Sequence, residues 1–285
     1  MGTRNRALPA PYVKATAVLI HGYLAGILGD PWAGTKEYLR RNGYNVVTPT
    51  LNFGTKTIDP DPWKAATEVN EQLMANKFQI KPPIFLIGHS MGGLVSKAIL
   101  LKYGQQWPIM GVITISSPHM GVRWTKLTKW IEGGIKLALL PEFIFGLSGS
   151  KLSEEVDAKI KRAIAEGMKK KNLLVLVEYL FEDLPPEKIN ILSRIADKFA
   201  PENPVIRELN RAFDYNIPFL LIGADARFRE GDKIVNINSQ VPKEYVSRSN
   251  VETFIVKDDH FNVKRNPQVL SKIVEFMDRV LSGNL

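Results

Sequence analysis

The feature that most constrains this chain is the rhythm of its apolar runs. Short, nearly continuous apolar stretches recur at Ala17–Ile20, Asn45–Thr48, Ile84–Ile87, Met110–Ile115, Pro218–Ile222 and Val251–Val256. Most of the segments between them carry helical periodicity. Strands that are apolar on both sides are buried on both faces, and strands joined through helices run parallel. The pattern predicts an α/β protein: a mostly parallel sheet with helices on both faces. Asp30-Pro31 and Asp61-Pro62 each place a capping side chain before a first-turn proline. They predict one helix over Trp32–Arg41 and another from Pro62, with Trp63, Ala66, Val69 and Leu73 on one face. Met91–Tyr103 reads as a helix buried on most sides, and Pro267–Leu281 as the closing helix.

The rhythm stops between residues 122 and 211, where helical patterns follow one another without a strand. Trp124, Leu127, Ile131, Ile135 and Leu139 form one amphipathic stripe, and Leu152, Val156, Ile160, Ile164 and Met168 form a second. Residues 122–211 are therefore expected to be a helical insertion, or cap, on a core built from 1–121 and 212–285. A chain of 285 residues suits one large domain carrying such an insertion.

The chain has no cysteine, which excludes disulfides, cysteine-ligated metals and a cysteine nucleophile. Its net charge of +9 favours anionic surfaces. No nucleic-acid motif accompanies that charge, so no nucleic-acid partner is expected. Lys161, Arg162 and Lys169–Lys171 cluster around one cap helix. Such a cluster is most often a solvated face; the alternative is transient contact with a lipid surface. No apolar leader precedes the first strand, so no signal peptide is expected in this chain. The longest apolar stretch, Ile131–Leu147, is interrupted by Glu132, Lys136, Pro141 and Glu142 and cannot span a bilayer.

Gly88-His89-Ser90-Met91-Gly92-Gly93 follows a strand directly and opens a helix. That is the setting of a nucleophile elbow, a tight turn that lifts a serine hydroxyl above the sheet edge. An attacked carbonyl needs hydrogen-bond donors where its oxygen becomes charged. Met91 N–H, just after the serine, can supply one. Tyr23 N–H, in the His21-Gly22-Tyr23-Leu24 loop after the first strand, can supply the other. Ser90 also needs a base, and the chain has only 4 histidines. His89 adjoins the serine and points away from it, His21 belongs to the first loop, and His119 follows the fourth strand. His260, just after the last strand, fits best. A third residue to orient it should follow Pro218–Ile222, where Asp225 and Asp232 are candidates. The turn glycine and apolar anchor of Gly231-Asp232-Lys233-Ile234-Val235 favour Asp232.

These pieces together resemble the bacterial lipase and esterase branch of the α/β-hydrolase superfamily. The matching segments are V-L-I-H-G-Y-L at 18–24, G-H-S-M-G-G at 88–93, S-S-P-H-M-G at 116–121, G-D-K-I-V at 231–235 and D-H-F at 259–261. The resemblance implies an α/β-hydrolase fold with a helical cap inserted between strands six and seven. It implies a catalytic triad of Ser90, Asp232 and His260, and an oxyanion hole from the Tyr23 and Met91 amides. The substrate class it implies is a small-molecule ester or lipid with an apolar acyl chain, with no cofactor. A thioesterase or amidase on the same triad is the alternative, and a non-catalytic hydrolase-fold binding protein is the third reading. Several such lipases hold calcium through an aspartate two residues after the catalytic histidine. That position is Asn262 here, so no metal is expected.

Overall fold

The computed structural model describes residues 13–22, 30–51, 61–122, 200–201, 203–226, 231–232 and 235–284. Six strands appear among them: β1 (Thr16–Ile20), β2 (Asn45–Val47), β3 (Ile84–His89), β4 (Ile109–Ile115), β5 (Phe219–Ala224) and β6 (Val251–Val256). All are parallel, in the order β2-β1-β3-β4-β5-β6. The expected parallel sheet is present.

Five of the helices matter here: α1 (Ala33–Arg41), α2 (Pro62–Ala75), α3 (Met91–Tyr103), α4 (Pro204–Asn210) and, at the end of the chain, α7 (Pro267–Leu281). The short α5 (Ile237–Gln240) and α6 (Lys243–Val246) lie between β5 and β6. Alternation along β3 sends Ile84 and Leu86 into one core, against α2, α3 and α4. Phe85 and Ile87 enter the opposite core, against α1 and α7. Helices thus cover both faces, as strands apolar on both sides require. In α2, Ala65, Ala66, Val69 and Leu73 are buried, and Trp63 packs at the edge of the core.

Three helices start as the asparagine-or-aspartate plus proline rule predicts. The side chains of Asp61, Asn203 and Asn266 each accept a main-chain N–H from the first turn, and proline follows each. Asp30-Pro31 does not. Helix α1 begins later, at Ala33, with Trp32 at its cap position. The Asp30 carboxylate instead accepts Trp32 N–H at 3.0 Å and pairs with Lys36, bracing a turn before the helix.

Segment 123–199, most of the expected cap, lies outside the described residues, as do Tyr23 and the two amphipathic stripes. Its position falls between the fourth and fifth strands of the sheet described here. At its far end, α4 packs Ile206 and Leu209 into the core beside α3.

The chain passes from β1 out to β2, then back across β1 to β3. The connections after β1 and β3 therefore leave in opposite directions. Ligands of open α/β sheets bind in the crevice beyond the strand C-termini at such a switch point. The His21 loop and the Ser90 elbow flank this one.

Candidate active site

Ser90 carries φ +55° and ψ −125°, one of 2 non-glycine residues with positive φ among the described residues. Such backbone costs about 1–3 kcal/mol and persists only where its surroundings enforce it. Here Ser90 N–H donates to Ile115 O at 2.8 Å, and Gly93 N–H donates to Ser90 O at 3.0 Å. The elbow glycines are sterically required. A Cβ on Gly88 would lie 2.3 Å from Gly92 O, and one on Gly92 would lie 2.0 Å from Ile20 O. Met91 is the first residue of α3, so its N–H is one of the donors a helix start leaves free of intrahelical bonds.

The loop after β1 reaches the serine. A Cβ on Gly22 would sit 2.8 Å from Ser90 Cβ and 3.4 Å from Ser90 Oγ. His21 fixes that approach: its Nδ1–H donates to Gly22 O at 2.8 Å, and its Nε2 accepts Leu51 N–H at 3.3 Å. Both bonds suit one neutral tautomer, and burial holds the ring below its ordinary pKa. His21 is a structural clamp on the loop.

Asp232 and His260 form a buried pair. Asp232 Oδ2 lies 2.6 Å from His260 Nδ1, and the two residues are 1% and 5% exposed. Asp232 Oδ1 accepts Val235 N–H at 2.8 Å, with Val235 buried as the anchor. The preceding turn needs glycine: Gly231 has φ +95°, and a Cβ there would meet Val235 O at 2.1 Å. Asp225 has a different task. Its Oδ1 accepts Gly231 N–H at 3.2 Å, and its N–H donates to Val256 O at 2.9 Å. Asp225 holds the loop that carries Asp232. Between the two candidates, the one that meets His260 is Asp232.

His260 is carried back to the elbow by its main chain. Strands β3 and β6 are separated by β4 and β5, about 14 Å at sheet spacing. His89 Nε2 lies 2.7 Å from His260 O, and the two rings are 4.9 Å apart. The residue before the serine thus grips the residue expected to serve it. No hydrogen bond joins Ser90 Oγ directly to His260. His119 is no candidate base: it is fully buried behind the elbow. Its Nε2 is 2.9 Å from Thr114 Oγ1, and its main-chain N–H donates to Ser239 O at 2.9 Å.

Sequence reasoning missed Lys97. It lies on α3, is 0% exposed, donates from Nζ to Asn210 Oδ1, and stands 5.0 Å over the Phe213 ring. Asn210 in turn donates to His119 O at 2.8 Å. The one available signal was a lysine inside a helix expected to be buried on most sides. Burial pushes the Lys97 amine well below its ordinary value of 10.5. The unfolded chain then binds more protons than the native one, so stability rises with pH below that ordinary value. Lys97→Met is expected to flatten this slope in denaturant midpoints measured between about pH 7 and about pH 10. Lys264, held at about 8 by burial, contributes in the same direction and keeps its part. An unchanged slope in Lys97→Met would count against burial lowering the Lys97 amine.

The profile of the alpha/beta hydrolase family matches residues 17–250. No curated protein sequence matches. Among solved structures, an esterase of Pyrococcus furiosus is similar over 95% of this chain and 84% of that one, at 19% identity and TM-score 0.51. A bromoperoxidase of Bacillus anthracis is similar over 94% of this chain and 93% of that one, at 18% identity and TM-score 0.57. A proline iminopeptidase of Mycobacterium smegmatis is similar over 95% of this chain and 91% of that one, at 13% identity and TM-score 0.52. At such identities the likeness is one of fold. No helix among the described residues is long and apolar enough to cross a membrane.

Proposed function

The chain belongs to the alpha/beta hydrolase family, and on that premise we propose that it is a serine hydrolase of carboxylic esters with apolar acyl chains. The observation that carries the proposal is the buried Asp232–His260 pair, tied by main chain to the strained Ser90 elbow. In this reading Ser90 Oγ attacks the ester carbonyl, and His260 Nε2 takes its proton. Asp232 holds Nδ1–H, which fixes the tautomer and stabilises the imidazolium. Met91 N–H and, from the loop outside the described residues, Tyr23 N–H receive the oxyanion. His260 returns the proton to the leaving alcohol, and water repeats the cycle on the acyl-enzyme. In this reading the Ser90 Oγ–His260 Nε2 hydrogen bond forms in the substrate complex, since catalytic hydrogen bonds commonly tighten only there.

The domain division belongs to the same proposal: residues 1–121 and 212–285 as core and 122–211 as cap, except that α4, at the end of that span, packs into the core. The insertion leaves the core just past Ser116–Gly121, and Ser117 Oγ packs against Gly93 of the elbow. In this reading the apolar stripe of the cap, from Trp124 to Leu139, lines the acyl site.

A nitrophenyl ester series from acetate to palmitate, with matched thioester and anilide substrates, tests both parts. An apolar acyl site gains up to about 0.8 kcal/mol, close to fourfold in kcat/KM, per buried CH₂. The optimum is expected at medium or long chains, and Ile131→Ala with Ile135→Ala is expected to move it shorter. An optimum at acetate would overturn the acyl reading. Faster thioester or anilide turnover would overturn the ester reading; the likeness to an iminopeptidase is why the anilide belongs in the set.

A further inference from the structure

His89 has a second ring nitrogen, and its surroundings are informative. Its Nε2 must carry the proton, because its partner, His260 O, is a carbonyl and only accepts. Burial holds the ring well below its ordinary pKa, so it is neutral and Nδ1 is an acceptor. Nδ1 is buried and has no hydrogen-bond partner among the described residues. The indole Nε1–H of Trp32, a donor only, is also buried and also without such a partner. The two rings meet edge-on, with centroids 6.3 Å apart and planes at 87°. Each orphaned polar group costs about 1–3 kcal/mol, and no hydrogen bond joins these two nitrogens in the structure.

The loop bearing His260 is braced by the same part of the fold. Thr35 Oγ1, on α1, donates to Lys264 O at 2.7 Å, and Lys264 Nζ donates to Phe261 O at 2.7 Å. The start of α1 therefore sits against the loop after β6, with Trp32 between α1 and the elbow.

We propose that Trp32 and His89 form a buried relay that positions the His260 imidazole: the Trp32 ring packs edge-on against the His89 ring, and His89 Nε2–H donates to the main-chain carbonyl of His260. The His260 carbonyl selects the His89 tautomer, the Trp32 ring holds the His89 ring in place, and His89 sets how far the His260 backbone stands from the Ser90 turn. Both are positioning residues; neither touches the reacting atoms. The inference rests on the reading of Ser90, Asp232 and His260 as the triad.

The test uses the full chain with a nitrophenyl ester and a fluorophosphonate. His89→Phe keeps an aromatic ring and removes both nitrogens. Misplacing a catalytic group by about 1 Å can cost on the order of 100-fold, so kcat and labelling rate are expected to fall about 10- to 100-fold, with KM within about twofold. His89→Gln, whose amide reaches the Nε2 position, is expected to recover most of that loss. Trp32→Phe is expected to fall between wild type and His89→Phe. The downfield proton resonance of the His260–Asp232 bond should broaden in His89→Phe and Trp32→Phe and sharpen again in His89→Gln. If His89→Phe does not fold, His89→Asn, too short to reach His260, is judged by the same readouts. Wild-type kcat and labelling in a folded His89→Phe would overturn the relay, as would a folded His89→Gln no better than His89→Phe. Ser90→Ala separates the two ideas. If it keeps activity, the triad reading fails; if it is inactive while His89→Phe is normal, the relay alone fails.

Discussion

Ser90→Ala is expected to lose about 10⁴- to 10⁶-fold in kcat on nitrophenyl esters, with KM and melting temperature near wild type. The loss is large because the serine is both nucleophile and acyl carrier, so its removal closes the covalent route. The fold should survive for a local reason. Ser90 holds its place through main-chain bonds to Ile115 and Gly93, and its side chain makes no hydrogen bond among the described residues. Alanine would meet the same backbone demand, φ +55°, with no added bulk. Steady-state kinetics beside a thermal melt checks both halves. Activity above a few per cent in a folded variant would remove Ser90 from the mechanism.

Asp232→Asn is expected to cost on the order of 10⁴ in kcat, and Asp225→Asn far less. An asparagine amide can turn its N–H toward His260 Nδ1, which selects the wrong tautomer and leaves Nε2 protonated. Asp232 also accepts Val235 N–H, and the asparagine oxygen can keep that bond, so the loop should hold. Asp225 acts one step away, through Gly231 N–H. Its loss loosens the turn without changing the partner of His260. The pair of variants, assayed side by side for kcat and melting temperature, decides the matter. An inactive Asp225→Asn beside an active Asp232→Asn would reverse the roles.

What the sequence made legible follows from the range of the interactions involved. The sheet was readable because buried parallel strands need uninterrupted apolar runs, and Val251–Val256, Met91–Tyr103 and Pro267–Leu281 fall where the pattern places them. The elbow was readable because its constraint is local: Gly88 and Gly92 stand where any Cβ would collide with main chain. Asp30-Pro31 misled because the same Asp-Pro pair serves a turn as well as a helix cap, and Lys36 drew the carboxylate aside. The tasks of His89 and Lys97 were not readable. Each depends on a partner far along the chain, His260 for one and Asn210 for the other, and no spacing rule connects residues 171 or 113 positions apart. The two cap stripes and Tyr23 fall outside the described residues, so they stand as expectations about the acyl site and the oxyanion hole.

If Ser90 is the activated nucleophile of an acyl-transfer site, it reacts selectively with a fluorophosphonate. Fluorophosphonate labelling of the wild-type chain, with the adduct mapped by peptide mass spectrometry, tests it most directly. One adduct is expected, on Ser90, with labelling strongly slowed in Asp232→Asn and absent in Ser90→Ala. An unlabelled wild-type chain, or an adduct on any other residue, would contradict it.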